Sequence, residues 1–256
     1  MSAEDPSGAG VRAYALGDIH GHVGRLRAAH ALIAADRALT GDEDAPVVHL
    51  GDLVDRGPDA RGVIDLLMAG IADGAPWVVL LGNHDRMFAG FLDDPAARDP
   101  RLRPQFSWLH PAIGGGPTLA SYGVANPADR PMAAVHADAV ARVPQAHRDF
   151  LASRPLYHRR GPVLFVHAGI RPGLAPEAQA PDDLVWIREP FLSDPRDHGF
   201  LVVHGHTALD RATHFGNRVD LDSSAGYGGP VTAAVFEGRK VHVLTDAGRV
   251  PLTPAG

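Results

Sequence analysis

Three short runs place acids, amides and imidazoles beside glycine: Gly17-Asp18-Ile19-His20-Gly21, Gly51-Asp52-Leu53-Val54-Asp55-Arg56-Gly57 and Gly82-Asn83-His84-Asp85. Two later runs, His167-Ala168-Gly169 and His204-Gly205-His206-Thr207, add imidazoles. Carboxylate, imidazole and amide oxygen are borderline-hard ligands that suit manganese, iron or zinc. A carboxylate can bridge two ions, and Asp52, in the middle of the first three runs, is the natural bridge. Taken singly, each run has a plainer explanation: a loop aspartate forms turns, and a lone histidine is a satisfied surface or core residue. Gly-Asp-x-His-Gly fixes four positions. At roughly one in fifteen per position, it arises by chance in well under about one in a hundred chains of this length. Two further Gly-Asp or Gly-Asn turns, in order and each after an apolar run, make coincidence untenable.

The elements that must position these groups are legible from periodicity. Tyr14-Ala15-Leu16, Val47-Val48-His49-Leu50 and Trp77 to Leu81 are short apolar runs that end at the three turns, which predicts strands. Helices are expected after the first two, with Leu26, Ala29 and Ile33 on one face and Val63, Leu66, Leu67 and Ile71 on another. Val163–Val166 and Phe200–Val203 predict two more buried strands, leading into His167 and His204. Polar groups just past strand C-termini are where α/β sheets bind ligands. The C-terminal segments 218–222, 231–236 and 240–245 alternate as antiparallel strands do. Residues 1–10 read as a flexible tail and 11–256 as a single domain. Within it, 86–160 forms a helical, cap-like excursion with a helix near 144–153.

Composition excludes several classes. With no cysteine there is no disulfide and no thiolate-bound zinc. The net charge of -6 argues against a nucleic-acid duplex as the main partner. No apolar run reaches the length of a membrane span, and the first ten residues carry no signal-peptide core. A cytoplasmic location is expected. The sequence sets no oligomeric state.

The quoted motifs, in order from about Val11 to Thr245, resemble those of the metallophosphoesterase superfamily. Within it they are most similar to the phosphoprotein phosphatase branch, with its bacterial serine/threonine phosphatases and symmetrical dinucleoside tetraphosphatases. Trp186-Ile187-Arg188-Glu189 resembles the segment that supplies a second phosphate-binding arginine. The resemblance implies a calcineurin-like α/β fold, a central β-sandwich flanked by helices (α/β/β/α). It implies two divalent metal ions, with manganese favoured and iron or zinc as alternatives. One ion sits on Asp18, His20 and Asp52, the other on Asp52, Asn83, His167 and His206, and a metal-bridging hydroxide attacks phosphorus. His84, next to a ligand, is the candidate general acid. Asp55 is the aspartate that bonds it and keeps it protonated, and Arg56 and Arg188 hold phosphate oxygens through guanidinium forks.

Asp55 could instead cap the helix that begins near Pro58, and Arg188 could be a surface arginine paired with Glu189. His206 is the expected ligand and His204 a strand-end residue. Tyr227 either belongs to a loop over the site or merely covers the sheet end. Asp85, where eukaryotic relatives have glutamate, points to the bacterial group. The expected function is phosphomonoester hydrolysis, with a phosphorylated protein or small phosphate ester as substrate. A symmetrical dinucleoside tetraphosphatase is the alternative, and a non-catalytic scaffold would have lost ligands that are all present here.

Overall fold

The computed structural model describes residues 11–254, so the tail expected over residues 1–10 lies outside the described residues. In chain order the elements are β1 (Arg12–Leu16), α1 (Val23–Thr40), β2 (Val47–His49), α2 (Ala60–Ala72), β3 (Trp77–Val79) and α3 (Asn83–Asp93). Then come α4 (Gly115–Ser121), α5 (Met132–Arg142), α6 (Gln145–Ala152), β4 (Tyr157–Arg160), β5 (Val163–Val166) and α7 (Pro181–Trp186). The chain continues with β6 (Leu201–His204), β7 (Thr213–His214), β8 (Arg218–Asp220), β9 (Ala233–Glu237), β10 (Lys240–Thr245) and β11 (Gly248–Pro251).

These strands form two sheets, ordered β11-β10-β9-β1-β2-β3 and β4-β5-β6-β8-β7. The motif-bearing strands run parallel within each sheet: β1 with β2, β2 with β3, and β5 with β6. Their C-terminal ends therefore open on the same side. Side chains alternate across each sheet, which builds three apolar layers. In β1, Tyr14 and Leu16 pack under the helices while Ala13 and Ala15 face the second sheet. In β5, Val163 and Phe165 face the first sheet while Leu164 and Val166 face outward toward Leu184 and Phe191. The result is the expected sandwich between helical layers.

Helix signals behave as the pattern predicts. Leu26, Ala29 and Ile33 are the buried stripe of α1, and Gly41 ends it in the left-handed conformation. Asp59 caps α2 by accepting from the Gly62 amide at 2.8 Å. The excursion after α3 consists of α4, α5 and α6, and its last residues are already β4 of the second sheet. The C-terminal segments differ from expectation in their pairing. β9, β10 and β11 are antiparallel neighbours, but β8 lies parallel to β6 in the other sheet. Alternation reveals which face of a strand is buried, not which strand is its partner.

Phe165 and Phe236 meet edge-on between the two sheets, with ring centroids 5.4 Å apart. Both are almost fully buried. Phe236→Ala is expected to lower unfolding stability by about 3–5 kcal/mol, the cost of an unfilled aromatic site. Urea denaturation measures it. A loss under about 1 kcal/mol would mean that the inter-sheet layer tolerates collapse there.

Candidate metal centre and cleft

The ligand-bearing turns are laced together by backbone bonds. The amides of Ile19 and His20 donate to the Asp52 carbonyl at 3.1 and 2.8 Å, and Gly21 donates to Leu53. Asp85 joins the second turn to the third: its two carboxylate oxygens accept from Leu53 N and Gly82 N, each at 2.9 Å. Burial, followed by the nearby charges of Asp52 and Asp55, pushes its carboxyl up to about 7. His20, Asp52, Asp55, Arg56 and His206 all have positive φ, between 47° and 73°. Residues held in such sparsely populated regions cost about 1–3 kcal/mol each, and they concentrate where side chains must be aimed at one point.

That point lies between Asp52 and Asn83. Asp52 Oδ1 is 3.4 Å from His167 Nε2, and its Oδ2 is 3.7 Å from His20 Nε2. Asn83 Oδ1 is 3.0 Å from His167 Nε2 and 2.8 Å from His206 Nδ1. Asp18 Oδ2 stands 4.0 Å from His20 Nε2, and the carboxylate accepts from the His206 amide. A Cβ at Gly205 would lie 2.0 Å from Asp18 Oδ1, so only glycine lets the β6 turn approach. Two clusters emerge, His20–Asp52–His84 and Asp52–His167–His206, with ligand atoms within 4.8 Å of one another in each. Asp52 belongs to both, and the first contains His84 where Asp18 was expected.

The donor set fits divalent cations. His20 and His167 each turn Nδ1 to a backbone carbonyl, Val54 at 2.9 Å and Leu50 at 2.8 Å. A carbonyl only accepts, so Nδ1 carries the proton and Nε2 presents a lone pair inward. Burial lowers the pKa of His20, His167 and His206, which keeps the rings neutral. The His167 Nε2 lone pair therefore faces the lone pairs of Asn83 Oδ1, an acceptor against an acceptor. A cation reconciles them. The carboxylates agree: burial, then the charges of Asp222 and Asp52, drives the Asp18 carboxyl well above its ordinary range.

Beside this centre His84 Nδ1 lies 2.6 Å from Asp55 Oδ2, and Asp55 is fully buried. The capping role considered for Asp55 belongs instead to Asp59. Arg56 reaches between the rings, with Nη1 2.6 Å from His20 Nε2 and Nη2 3.1 Å from His84 Nε2. Arg188 donates to the His206 carbonyl at 3.1 Å, whereas Glu189 accepts from Ser193. The alternative of an Arg188–Glu189 surface pair is thus not what forms. Tyr227 is 67% exposed and lies against Arg56, 4.7 Å from its guanidinium. Arg56, His84, Arg188 and Tyr227 open on a cleft of about 530 Å³ lined also by Arg101, Arg103, Phe106 and Trp186. His204 points elsewhere: its Nε2 is 3.2 Å from Arg218 Nη1, deep in the second sheet.

A calcineurin-like phosphoesterase family model matches residues 11–241. The chain belongs to the calcineurin-like phosphoesterases. It is similar to the solved structure of a "putative diadenosine tetraphosphatase", at 22% identity over 96% of this chain and 95% of that one, TM-score 0.59. It is also similar to a cold-active protein-tyrosine phosphatase of a psychrophile, Shewanella sp., at 18% identity over 95% and 80%, TM-score 0.58. A metallophosphoesterase from Sphaerobacter thermophilus aligns at 18% identity over 94% and 88%, TM-score 0.50. At these identities the likeness is one of fold. A search of curated proteins gave no match. Among the described residues, no helix is long and apolar enough to cross a membrane.

The phosphoesterase site also contains groups that the motifs alone did not single out. Asp222 lines the cleft beside Asp18, and burial pushes its carboxyl up to about 6. Trp108 and Thr118 contact Asp55 from the excursion. Asp222 stands two residues past the end of β8, whose residues are Arg218, Val219 and Asp220, and it lacks the glycine that precedes Asp18 and Asp52. Trp108 and Thr118 had no local signal beyond the nearby Gly114-Gly115-Gly116 run.

Two outcomes test the centre. Exhaustive chelation is expected to abolish phosphoesterase activity and lower the melting temperature, because ligands that bind only the native state stabilise it. Elemental analysis before and after should follow both losses, and full activity in the stripped protein would rule the centre out. Arg188→Ala is expected to weaken competitive inhibition by phosphate by about 1.5–3 kcal/mol, the scale of one charge-assisted contact. Unchanged inhibition would return Arg188 to the surface.

Proposed function

We propose that this phosphoesterase hydrolyses phosphomonoesters and that its substrates are phosphoserine or phosphothreonine proteins. The reading rests on the His84–Asp55 pair. A serine or threonine alkoxide is a poor leaving group and requires a proton as the P–O bond breaks. His84 Nε2 faces the cleft beside Asp52, at 4.0 Å from Oδ2, while Nδ1 is held by Asp55. In this reading Nε2 delivers the proton to the leaving oxygen. Arg56 and Arg188 take the phosphoryl oxygens, which no lysine could engage with the same fork. Asp18, His20 and Asp52 hold one divalent cation, and Asp52, Asn83, His167 and His206 hold a second. These cations, manganese by preference, supply charge neutralisation and an activated water when bound. The reaction belongs to the cytoplasm.

A second reading, symmetrical dinucleoside tetraphosphate hydrolysis, is favoured by one observation. Arg101, Arg103, Phe106, Trp186 and Tyr227 surround the same cleft, a mixture suited to extra phosphates and stacked bases. An anhydride leaving group is stable as an anion and has less use for the acid. The two readings separate kinetically. A phosphothreonine peptide is expected to exceed diadenosine tetraphosphate in kcat/KM. His84→Asn should retain its metal, yet slow peptide turnover by about 10²–10⁴, with a smaller loss on p-nitrophenyl phosphate. A preference for the dinucleotide would transfer the assignment to the second reading.

A further inference from the structure

The catalytic reading accounts for Asp55 through one contact, with His84, yet Asp55 makes three more. Its Oδ1 accepts the Thr118 hydroxyl at 2.8 Å. The Trp108 indole N–H lies across both carboxylate oxygens, 2.9 Å from Oδ2 and 3.1 Å from Oδ1. The Asp55 amide donates back to Thr118 Oγ1, also at 2.8 Å. Thr118 thus reads the backbone and the side chain of Asp55 with a single oxygen. Asp55 and Thr118 are fully buried and Trp108 is 5% exposed, so no water competes for these bonds.

Both partners come from the excursion between α3 and β4, not from a metal motif. The glycine run noted in the sequence explains how they arrive. A Cβ at Gly115 would lie 2.5 Å from the Trp108 ring, and one at Gly114 would lie 2.7 Å from the Arg56 amide nitrogen. Gly114 also accepts from that amide at 3.0 Å and adopts a left-handed φ of 94°. The turn therefore presses onto the Asp55–Arg56 corner, whose own residues have positive φ. Behind it, Trp108 is wedged against Phe88 and Phe91, with centroids 5.3 and 4.7 Å away.

We infer that Trp108 and Thr118 are positioning residues that clamp the Asp55 carboxylate and thereby fix the His84 ring for proton delivery to the leaving oxygen. A buried carboxylate with one partner could rotate about its side-chain torsions. Bonds from the indole, the Thr118 hydroxyl and His84, with Thr118 itself held by the Asp55 amide, leave it one orientation. Neither residue touches substrate, and neither supplies or removes a proton. The excursion thus completes the acid while also walling the cleft. The inference rests on the proposed acid role of His84.

The test compares Trp108→Phe, Thr118→Val and Thr118→Ser in the metal-loaded protein on an alkyl phosphate and on p-nitrophenyl phosphate. Phe keeps the packing and loses the N–H, Val keeps the shape and loses the hydroxyl, and Ser restores the hydroxyl. Trp108→Phe and Thr118→Val are expected to lower kcat on the alkyl ester by about tenfold or more, part of a positioned acid's contribution. On the nitrophenyl ester the loss should stay within about threefold, with unchanged metal content and phosphate inhibition. Thr118→Ser should return near wild type. In protein labelled with ¹⁵N-histidine, the downfield proton of the 2.6 Å His84–Asp55 bond should shift in both deficient variants.

Asp55→Asn serves as the reference. If it loses both esters equally, the acid reading falls and the clamp falls with it. If Asp55→Asn discriminates between the esters but Trp108→Phe and Thr118→Val do not, the clamp alone is overturned. An unmoved proton signal likewise overturns it.

Discussion

The centre of this molecule is a concentration of buried lone pairs. Asn83 Oδ1 lies 3.0 Å from the His167 Nε2 lone pair and 2.8 Å from His206 Nδ1, and the Asp52 carboxylate lies beside His167. In water such groups would each hold a proton donor. Here burial keeps the imidazoles neutral and aims acceptors at acceptors. Left uncompensated, a buried polar atom is costly, and a buried carboxylate more so. A cation bound among them would satisfy these lone pairs at once, which is how metal binding couples to folding.

The rest of the fold can be understood as the means of bringing those atoms together. Parallel strands release their chains at one edge, and two facing sheets bring the candidate ligands in from opposite sides. β1, β2 and β3 contribute Asp18, His20, Asp52 and Asn83, while β5 and β6 contribute His167 and His206. The turns must then reverse within a few residues. Left-handed backbone at His20, Asp52 and His206 is the local consequence, held by amides that donate across turns to Asp52 O and to the Asp18 and Asp85 carboxylates. Asp85 is the clearest case of a motif residue that neither ligates nor reacts. Its two oxygens fix the spacing between two ligand turns.

Those parts that depend on local sequence were legible in it. The glycine-flanked turns announce themselves because close backbone approach restricts them to few residue types, as Gly205 against Asp18 shows. The α1 stripe at Leu26, Ala29 and Ile33 follows from helical period alone. What escaped depends on contacts remote in sequence. Trp108 and Thr118 lie 53 and 63 residues from Asp55, and nothing in their neighbours specifies that partner. The pairing of β8 with β6 escaped for the same reason: a strand's alternation records its faces but not its neighbour.

The site histidines divide by the partner of the second ring nitrogen. His20 and His167 lean on carbonyls, which suits neutral rings that offer a lone pair. His84 leans on a carboxylate, which suits a ring that gives and regains a proton. His206 inverts the usual ligand orientation, with Nδ1 toward Asn83 and Nε2 buried without a partner among the described residues. The chemistry of each histidine is thus set less by its place in a motif than by the group standing behind it.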